Sequence, residues 1–584
     1  MCGFFYVFSR NKSLPRRVCQ EIAMEFIAPR GPSHRIEFIS SREYICQSVL
    51  SIQTLAGAPA NQGQLGSSRF ILYNGEIYNF QKDLQGDSDT EKLFYSFLHG
   101  SLEDTLAECD GMYALAALSC KVDERTCKVY RDSVGEKHVY YLFNNQYFAV
   151  SSTPGALVVL SRNLGVFRYD DSLLFDYLDR RHLIAPEITL FKDIRQIPAG
   201  GHIAFDSGKW SCNEVKPEKN LCEKYFDSEL YHILDRMSFA EYTEALEAEL
   251  LTCLNSMQAI CLDKDTILTV SGGIDSSLVA ALLGSSRDNC FPTVSCLFGE
   301  KDTIAISAPI LSRQIGFKFH HEVSINLESY LSSLKRCIRI LGAPVHSHSL
   351  PSSRILAQNV ACLGKKVLYG GEGADELFLG YETYNHIFFN RQIPYELQSA
   401  YTAPVRNVSL GGSDFNSEFN ETLKSVLRSS VDILIASGLS VNDAIVKANA
   451  MLDYSYQLPM VGLAASDTVI SDCGIEARTP FTRPSIIKFG FSSPHKHLVI
   501  KQRSRKRIMK GGLDILFQKY TGTVPGIKSG FSGFPNETAV LLGEIHDWKV
   551  FEKYPFMKNI FGKTREIDWK IINTEWFLRE WELS

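Results

Sequence analysis

From Phe239 the apolar residues recur at helical spacing, with Phe239, Tyr242, Leu246, Leu250, Leu254 and Met257 on one face. This predicted helix leads into residues 262–283, LDKDTILTVSGGIDSSLVAALL, where an apolar run, a glycine pair and a second apolar run predict strand, tight turn and helix. The pattern then repeats. VSCLFG (294–299) reads as a strand, TIAISAPILSRQIGF as a helix, KFHHEVSI as a strand, and KKVLYGG as a strand ending in glycines. Strands alternating with helices imply a parallel sheet with right-handed crossovers, and such sheets bind ligands at the carboxyl ends of their strands. Residues 211–220 are polar and without hydrophobic period, which marks a domain boundary. From about residue 539 the chain is aromatic and charged, and predicts a terminal helix covering the sheet.

A chain of 584 residues exceeds one core, so about two to four domains are expected. Its 45% apolar and 22% charged residues are ordinary for globular protein. A net charge of −5 argues against a nucleic-acid partner, and no apolar run approaches a membrane span. No signal-peptide layout is present, so a cytoplasmic protein is expected. The 15 cysteines contain no C-x-x-C pair, which points to neither zinc nor a disulfide framework. His346 and His348 alternate as shared ligands would, but no third ligand stands at suitable spacing, and loop histidines are expected. The basic run 501–510, KQRSRKRIMK, reads on its own as a nuclear signal or an RNA patch.

Candidate chemistry sits at two strand ends and at the N-terminus. Ser271, Gly272 and Gly273 fall where the 262–283 turn bends, with Asp275, Ser276 and Ser277 opening the helix. Paired glycines expose successive N–H groups and the helix N-terminus adds partial positive charge, so the turn is an anion cradle. An Asp beside a phosphate cradle calls for a bridging cation, and Asp275 therefore implies Mg²⁺. Neither a Walker loop nor a dinucleotide fingerprint is present. Residues 370–376, GGEGADE, again put glycines and acids at a strand end. The chain begins Met1-Cys2-Gly3, and removal of Met1 would give Cys2 an α-amino group as its own general base. Asn74-Gly75 favours a hairpin turn, which would also aim hydrogen-bond donors.

Taken together, these stretches resemble the glutamine-dependent asparagine synthase family. SGGIDSS is similar to the SGG(V/L)DS(S/T) loop of ATP pyrophosphatases. Cys2, Arg30-Gly31-Pro32, FILYNGEIYNF (70–80), DSDTEKLF from Asp87, DGMYALAAL from Asp110 and VYRDSVGEKHVYY from Val129 resemble, in order, a class II glutamine amidotransferase domain. TLFKDIRQIPAGGHIAFDSGKW (189–210) is similar to the last strand pair of that domain, and CGIEARTPF from Cys473 is nearly the family sequence. The resemblance implies an α/β protein of two parts. Residues 2–210 form an α+β sandwich of the N-terminal-nucleophile hydrolase type, with antiparallel sheets between helices. Residues 221–584 form a doubly wound parallel-sheet ATP-pyrophosphatase domain.

The resemblance assigns roles residue by residue. Cys2 attacks the glutamine amide, Asn74 and Gly75 stabilise the oxyanion, and Asn74, Glu76 and Asp89 bind glutamine, with Asp89 on its α-ammonium. Ser271, Gly272, Gly273, Asp275, Ser276, Ser277 and Gly371 bind ATP, Asp275 and Asp375 hold Mg²⁺, and Glu372 takes a proton from attacking ammonia. Lys528, in GIKSGFSGF, neutralises the leaving phosphates, and the 501–510 run lies on a helix near them. The partners implied are glutamine and a small carboxylate, aspartate by default, and a homodimer is allowed. Four positions depart from the family: Val49 replaces the arginine that pairs with the glutamine α-carboxylate, Gly370 a serine, Thr468 a basic residue and Gly526 an arginine. Arg30, Arg42 or Arg69 could supply the missing cation, or glutamine binds weakly. Another acceptor carboxylate, such as a sugar uronate, ring closure to a lactam, and a non-catalytic family member remain as alternatives.

Overall fold

The computed structural model describes residues 2–52, 68–80, 88–120, 124–174, 177, 187–216, 220–297, 303–381, 384, 414–501, 508–509, 511–523, 547–559, 561 and 565–583. Its first half holds two antiparallel sheets. One is ordered β2-β3-β1-β8-β7-β9, from β1 (Gly3–Ser9), β2 (Ser33–Ser40), β3 (Glu43–Val49), β7 (Tyr140–Phe143), β8 (Tyr147–Ser151) and β9 (Ile194–Gln196). The other is ordered β11-β10-β6-β5-β4, from β4 (Arg69–Ile77), β5 (Gly111–Cys120), β6 (Arg125–Arg131), β10 (His202–Asp206) and β11 (Ser211–Val215). Two-residue alternation sorts each strand between faces. On β1, Phe4, Tyr6 and Phe8 meet Leu72, Ala116 and Phe205 between the sheets, while Phe5 and Val7 turn out against Ile22, Phe26 and Leu157 on helices. On β5, Leu115 and Ala117 face Leu93 and Leu106 of the helices Asp89–His99 and Leu102–Glu108. The result is the expected sandwich of helix, sheet, sheet and helix.

The second half is built on a five-stranded sheet ordered β14-β13-β12-β15-β16, every neighbouring pair parallel. Its strands are β12 (Thr266–Thr269), β13 (Thr293–Leu297), β14 (His320–Ser324), β15 (Val367–Tyr369) and β16 (Glu476–Arg478). The chain builds outward from β12 to β14, then returns to place β15 on the other side of β12. That reversal makes the β12/β15 crevice the switch point where doubly wound sheets bind ligands. The helix Phe239–Ala259 forms as its periodicity predicts, started by a Ser238–Glu241 capping box, and buries Tyr242, Leu246, Leu250, Leu254 and Met257.

Three expectations fail, each for a tertiary reason. Asn74-Gly75 forms no hairpin: both lie inside β4, opposite Ala114 and Tyr113 of β5. Sheet pairing overrides the turn preference of that dipeptide. The sheet does not end at residue 210, because Ser211–Val215 adds edge strand β11, too polar to show a hydrophobic period. The terminal helix Arg565–Glu580 does not cover the parallel sheet. Its Phe577 and Leu578 share a core with Phe5 and Val7 of β1 and Ile338 of the helix Leu327–Leu341, and Lys570 Nζ donates to the Tyr177 carbonyl at 3.0 Å. It therefore fastens the two halves together. Among the described residues, no helix is long and apolar enough to cross a membrane.

Candidate functional site

The first site gathers where β4 of one sheet faces β1 and β3 of the other, with Gln47 Nε2 of β3 donating to the Tyr73 carbonyl of β4 at 2.9 Å. Cys2 immediately precedes β1, and its carbonyl accepts from Arg30 Nε at 3.0 Å. Burial pushes the Cys2 thiol up, and the charges of Glu76 and Asp89 add to this; the chain's amino terminus and the Leu50 N–H oppose it. Asn74 and Glu76 are buried on β4. Gly75 has no room for a side chain, since a Cβ there would run into the Met112 carbonyl and the Tyr113 backbone of β5. Asp89 opens the helix Asp89–His99, capped by Ser88. Its Oδ2 accepts from the Tyr73 hydroxyl at 3.0 Å and its Oδ1 from the Thr90 N–H at 2.7 Å. Burial nevertheless raises Asp89 to about 6, with Glu476 of β16 adding repulsion from the other half of the molecule. The structure thus brings Cys2, Glu76 and Asp89 within electrostatic reach of one another.

None of the three arginines considered as replacements at Val49 stands ready. Arg30 is buried, bound to the Cys2 carbonyl and, through its other nitrogen, to Asp467 Oδ1 at 3.1 Å. Arg42 lies beside Ser9, whose N–H donates to its carbonyl. That is the far end of β1, seven residues of extended chain or about 23 Å from Cys2. Arg69 begins β4, five residues or about 17 Å before Asn74, and donates to the Leu98 carbonyl.

The second site lies at the β12/β15 switch point. Gly272 takes φ +78°, the left-handed turn that lets the chain double back from β12 into the helix Ile274–Ser285. The Ser271 and Ser276 hydroxyls are 2.8 Å apart, and the Gly273 N–H donates to Ser271 Oγ at 3.3 Å, so the loop closes on itself around the helix N-terminus. Ser277 is buried behind it. Gly371 follows β15 and packs directly on this loop, where a Cβ would come within 2.6 Å of the Ser276 nitrogen and 2.8 Å of Asp275. At Gly370, the departure from the family serine, the Glu372 carboxylate folds back over the position a Cβ would take, a contact that the flexible end of that side chain can relieve.

This site is rich in negative charge. Burial raises Glu372, and the Asp275 charge adds to the effect. Glu376 is pushed up to about 7 by burial and by Asp375, against a 2.8 Å hydrogen bond from the Tyr381 hydroxyl. Among the described residues no three His, Cys, Asp or Glu side chains converge as a complete metal cage. Asp275 and Asp375, in the first turns of the helices Ile274–Ser285 and Ala374–Leu377, are carboxylates that could hold Mg²⁺, which is usually held by one or two carboxylates plus substrate phosphates. Lys528, Gly526 and residues 502–507 lie outside the described residues. His346 is half-buried and burial lowers it to about 4, while the His348 ring stands edge-on to Trp569.

Between the sites lies a junction that motif reading did not assign. Glu476 opens β16, its carboxylate accepting from Arg478 Nε at 2.7 Å and feeling both the amino terminus and Lys137. Three residues on, Thr479 Oγ1 donates to the Glu372 carbonyl at 2.9 Å. A small cavity here is lined by Met112, Lys137, Asp467, Glu372, Arg478 and Thr479, and at about 10 Å³ it accepts a single water-sized molecule. Arg483 locks the same junction, donating to Asp110 at 3.0 Å and to Glu136, with its guanidinium over the Tyr78 ring. The signal for these residues is the acid and base of IEAR within the CGIEARTPF stretch, which is matched as a motif without a role for either. Thr468 is buried rather than facing a phosphate site.

Comparison with known proteins agrees with both halves. Residues 1–216 match the glutamine amidotransferase domain family and residues 261–521 the asparagine synthase family. The asparagine synthetase [glutamine-hydrolyzing] of Mesocricetus auratus is 25% identical over 414 residues, 65% of this chain and 67% of that protein. The protein of that name from Homo sapiens is 25% identical over 415 residues, with the same coverage of each chain. A solved structure titled as the allosteric regulatory enzyme of purine biosynthesis covers 58% of this chain and 78% of its own at 13% identity, but its TM-score of 0.27 carries no weight on the fold. With a match to the glutamine amidotransferase domain followed by a match to asparagine synthase, joined through a buried junction, the chain is similar to the glutamine-hydrolysing asparagine synthetases.

Proposed function

We propose that this protein makes an amide from a carboxylate, with glutamine as nitrogen donor and ATP as activator, and that aspartate is the acceptor, giving asparagine, AMP, pyrophosphate and glutamate. The observation that carries the reading is β16, a strand whose first residue acts electrostatically on Asp89 of one site and whose following Thr479 hydrogen-bonds Glu372 of the other. Three residues of extended chain, about 10 Å, separate these two contacts.

In the first half, the Cys2 thiolate attacks the glutamine amide carbon. The Asn74 side chain and the Gly75 N–H stabilise the oxyanion that forms, and Asp89 holds the α-ammonium. Ammonia is released toward the junction. Most ammonia in water at neutral pH is protonated and unreactive, so a water-excluding passage of molecular width serves the chemistry. In the second half, ATP phosphates rest on the N–H groups of the Ser271–Ser277 loop, with the adjoining Gly371 close by. Asp275 and Asp375 would hold Mg²⁺, which would supply charge neutralisation at the phosphates. The acceptor carboxylate takes AMP and pyrophosphate leaves; ammonia then displaces AMP. Burial strengthens Glu372 as a base, suiting it to take the proton from the attacking nitrogen.

Replacing Cys2 tests the two-site reading. Cys2→Ala is expected to abolish glutamine-dependent amide formation while keeping the ammonia-dependent reaction and ATP-to-pyrophosphate turnover. Equal loss of both activities would sink it. Pyrophosphate release measured over a panel of carboxylates, aspartate first, identifies the acceptor.

A further inference from the structure

The amidotransferase nucleophile is held in part by the synthase half, through one carboxylate. Asp467, on the helix Ala465–Val469, is 1% exposed and reaches into the first half of the chain. Its Oδ1 accepts from Arg30, the guanidinium whose Nε holds the Cys2 carbonyl, and lies 3.8 Å from Lys137 Nζ. Its Oδ2 accepts the His138 N–H at 2.7 Å. Against the opposing effect of burial, Arg30, the His138 ring 3.5 Å away and Lys137 hold the Asp467 carboxyl well below the usual carboxylate range. The Arg30 side chain also lies flat across Gly3, where a Cβ would strike its Cδ, so its position and that of the first residues of β1 are mutually fixed.

We propose that Asp467 is a positioning residue for glutamine hydrolysis: it orients Arg30, and through Arg30 the Cys2 backbone, so that the nucleophile is aligned only when the two halves are docked. The geometry supplies the reason. The Cys2 carbonyl is fastened by the Arg30 guanidinium. That guanidinium would be a buried cation without the facing carboxylate, and such a charge needs its partner. Asp467 also lines the small cavity with Glu372, so the group that orients the nucleophile lies at the junction between the two sites. Alignment of a nucleophile is worth orders of magnitude in rate, whereas substrate binding by Asp89 and Glu76 does not pass through Asp467.

The inference rests on the proposed function, and its test separates the two. Glutaminase kinetics and ammonia-driven amide synthesis are measured for the full-length protein carrying Asp467→Asn, and in parallel Arg30→Lys, which keeps the charge but cannot bridge Cys2 and Asp467. Each variant is expected to lower glutaminase kcat at least tenfold, to leave the glutamine KM within about twofold, and to leave ammonia-driven turnover near wild type. The double variant should lose no more than the worse single one, since both break one linkage. An unchanged kcat in the single variants, an equal fall in ammonia-driven turnover, or additive losses would each overturn the role of Asp467. If Cys2→Ala itself leaves glutaminase intact, the proposed function fails instead. Should Asp467→Asn not fold, Arg30→Lys alone decides by the same split.

Discussion

The two sites of this molecule are built in opposite ways. The synthase site is two short loops at adjacent strand ends, each contiguous in sequence, and its geometry follows from one glycine turn, one helix N-terminus and one close approach at Gly371. The amidotransferase site is assembled from a chain end, the interior of β4, a helix start at Asp89 and an arginine held from the other half by Asp467. Parallel sheets collect their loops at one edge, so a site there is local. An antiparallel sandwich offers no such edge, and its site must be gathered from long-range pairings. Damage to the first should therefore stay in the first, while the second should respond to changes in either half.

The largest effect expected is at the synthase site. Asp275→Asn and Asp375→Asn should each cut pyrophosphate release about 10²-fold or more, and Lys528→Ala should do the same through lost charge stabilisation. Glutaminase assayed in the same preparations should survive. Near-wild-type pyrophosphate release in either Asp variant would remove the ATP site from this crevice.

Two glycines give a matched pair. Gly371→Ala forces a Cβ onto the Ser276 nitrogen and should lower ATP-dependent turnover by about 10²-fold with glutaminase retained. Gly75→Ala forces one onto the β5 backbone and should lower glutaminase comparably with ammonia-driven synthesis retained. Crossed losses, measured by the two assays side by side, would deny that the sites are separable.

Val49 sharpens the comparison further. With Arg30 engaged and Arg42 and Arg69 at distant strand ends, glutamine is expected to be a poor donor relative to ammonia. A charge pair to a ligand carboxylate is commonly worth about 2–5 kcal/mol, so Val49→Arg should lower the glutamine KM at least about tenfold without changing the ATP KM. A low-millimolar KM in the unaltered protein, insensitive to this change, would reveal another cation.

The smallest effect concerns pH. Asp89 at about 6 is neutral below that value and cannot then pair with the glutamine α-ammonium. Glutamine-dependent kcat/KM should fall several-fold as pH drops through 6, while ammonia-driven synthesis does not share that ionisation. Asp89→Asn should erase the step.

The contrast also sets what could be read in advance. The SGGIDSS loop and the GGEGADE loop were legible because a strand, a glycine turn and a helix start leave their marks within a few residues. The Asn74-Gly75 hairpin was misread because local turn preference is weak beside a nine-residue strand paired along its whole length with β5. The terminal helix was legible as a helix; its partner was not, since an apolar stripe states that a face is buried and not against what.

Sequence by itself determined the candidate reacting groups, the order of the two halves and the departures at Val49, Gly370 and Thr468, because these depend on residue type and near neighbours. Only the tertiary structure decided that Arg30 is bound to Asp467, and that Glu476 and Thr479 link the two sites. Those contacts join residues more than a hundred positions apart. Their strength comes from burial at a junction between domains, which has no local signature in the chain.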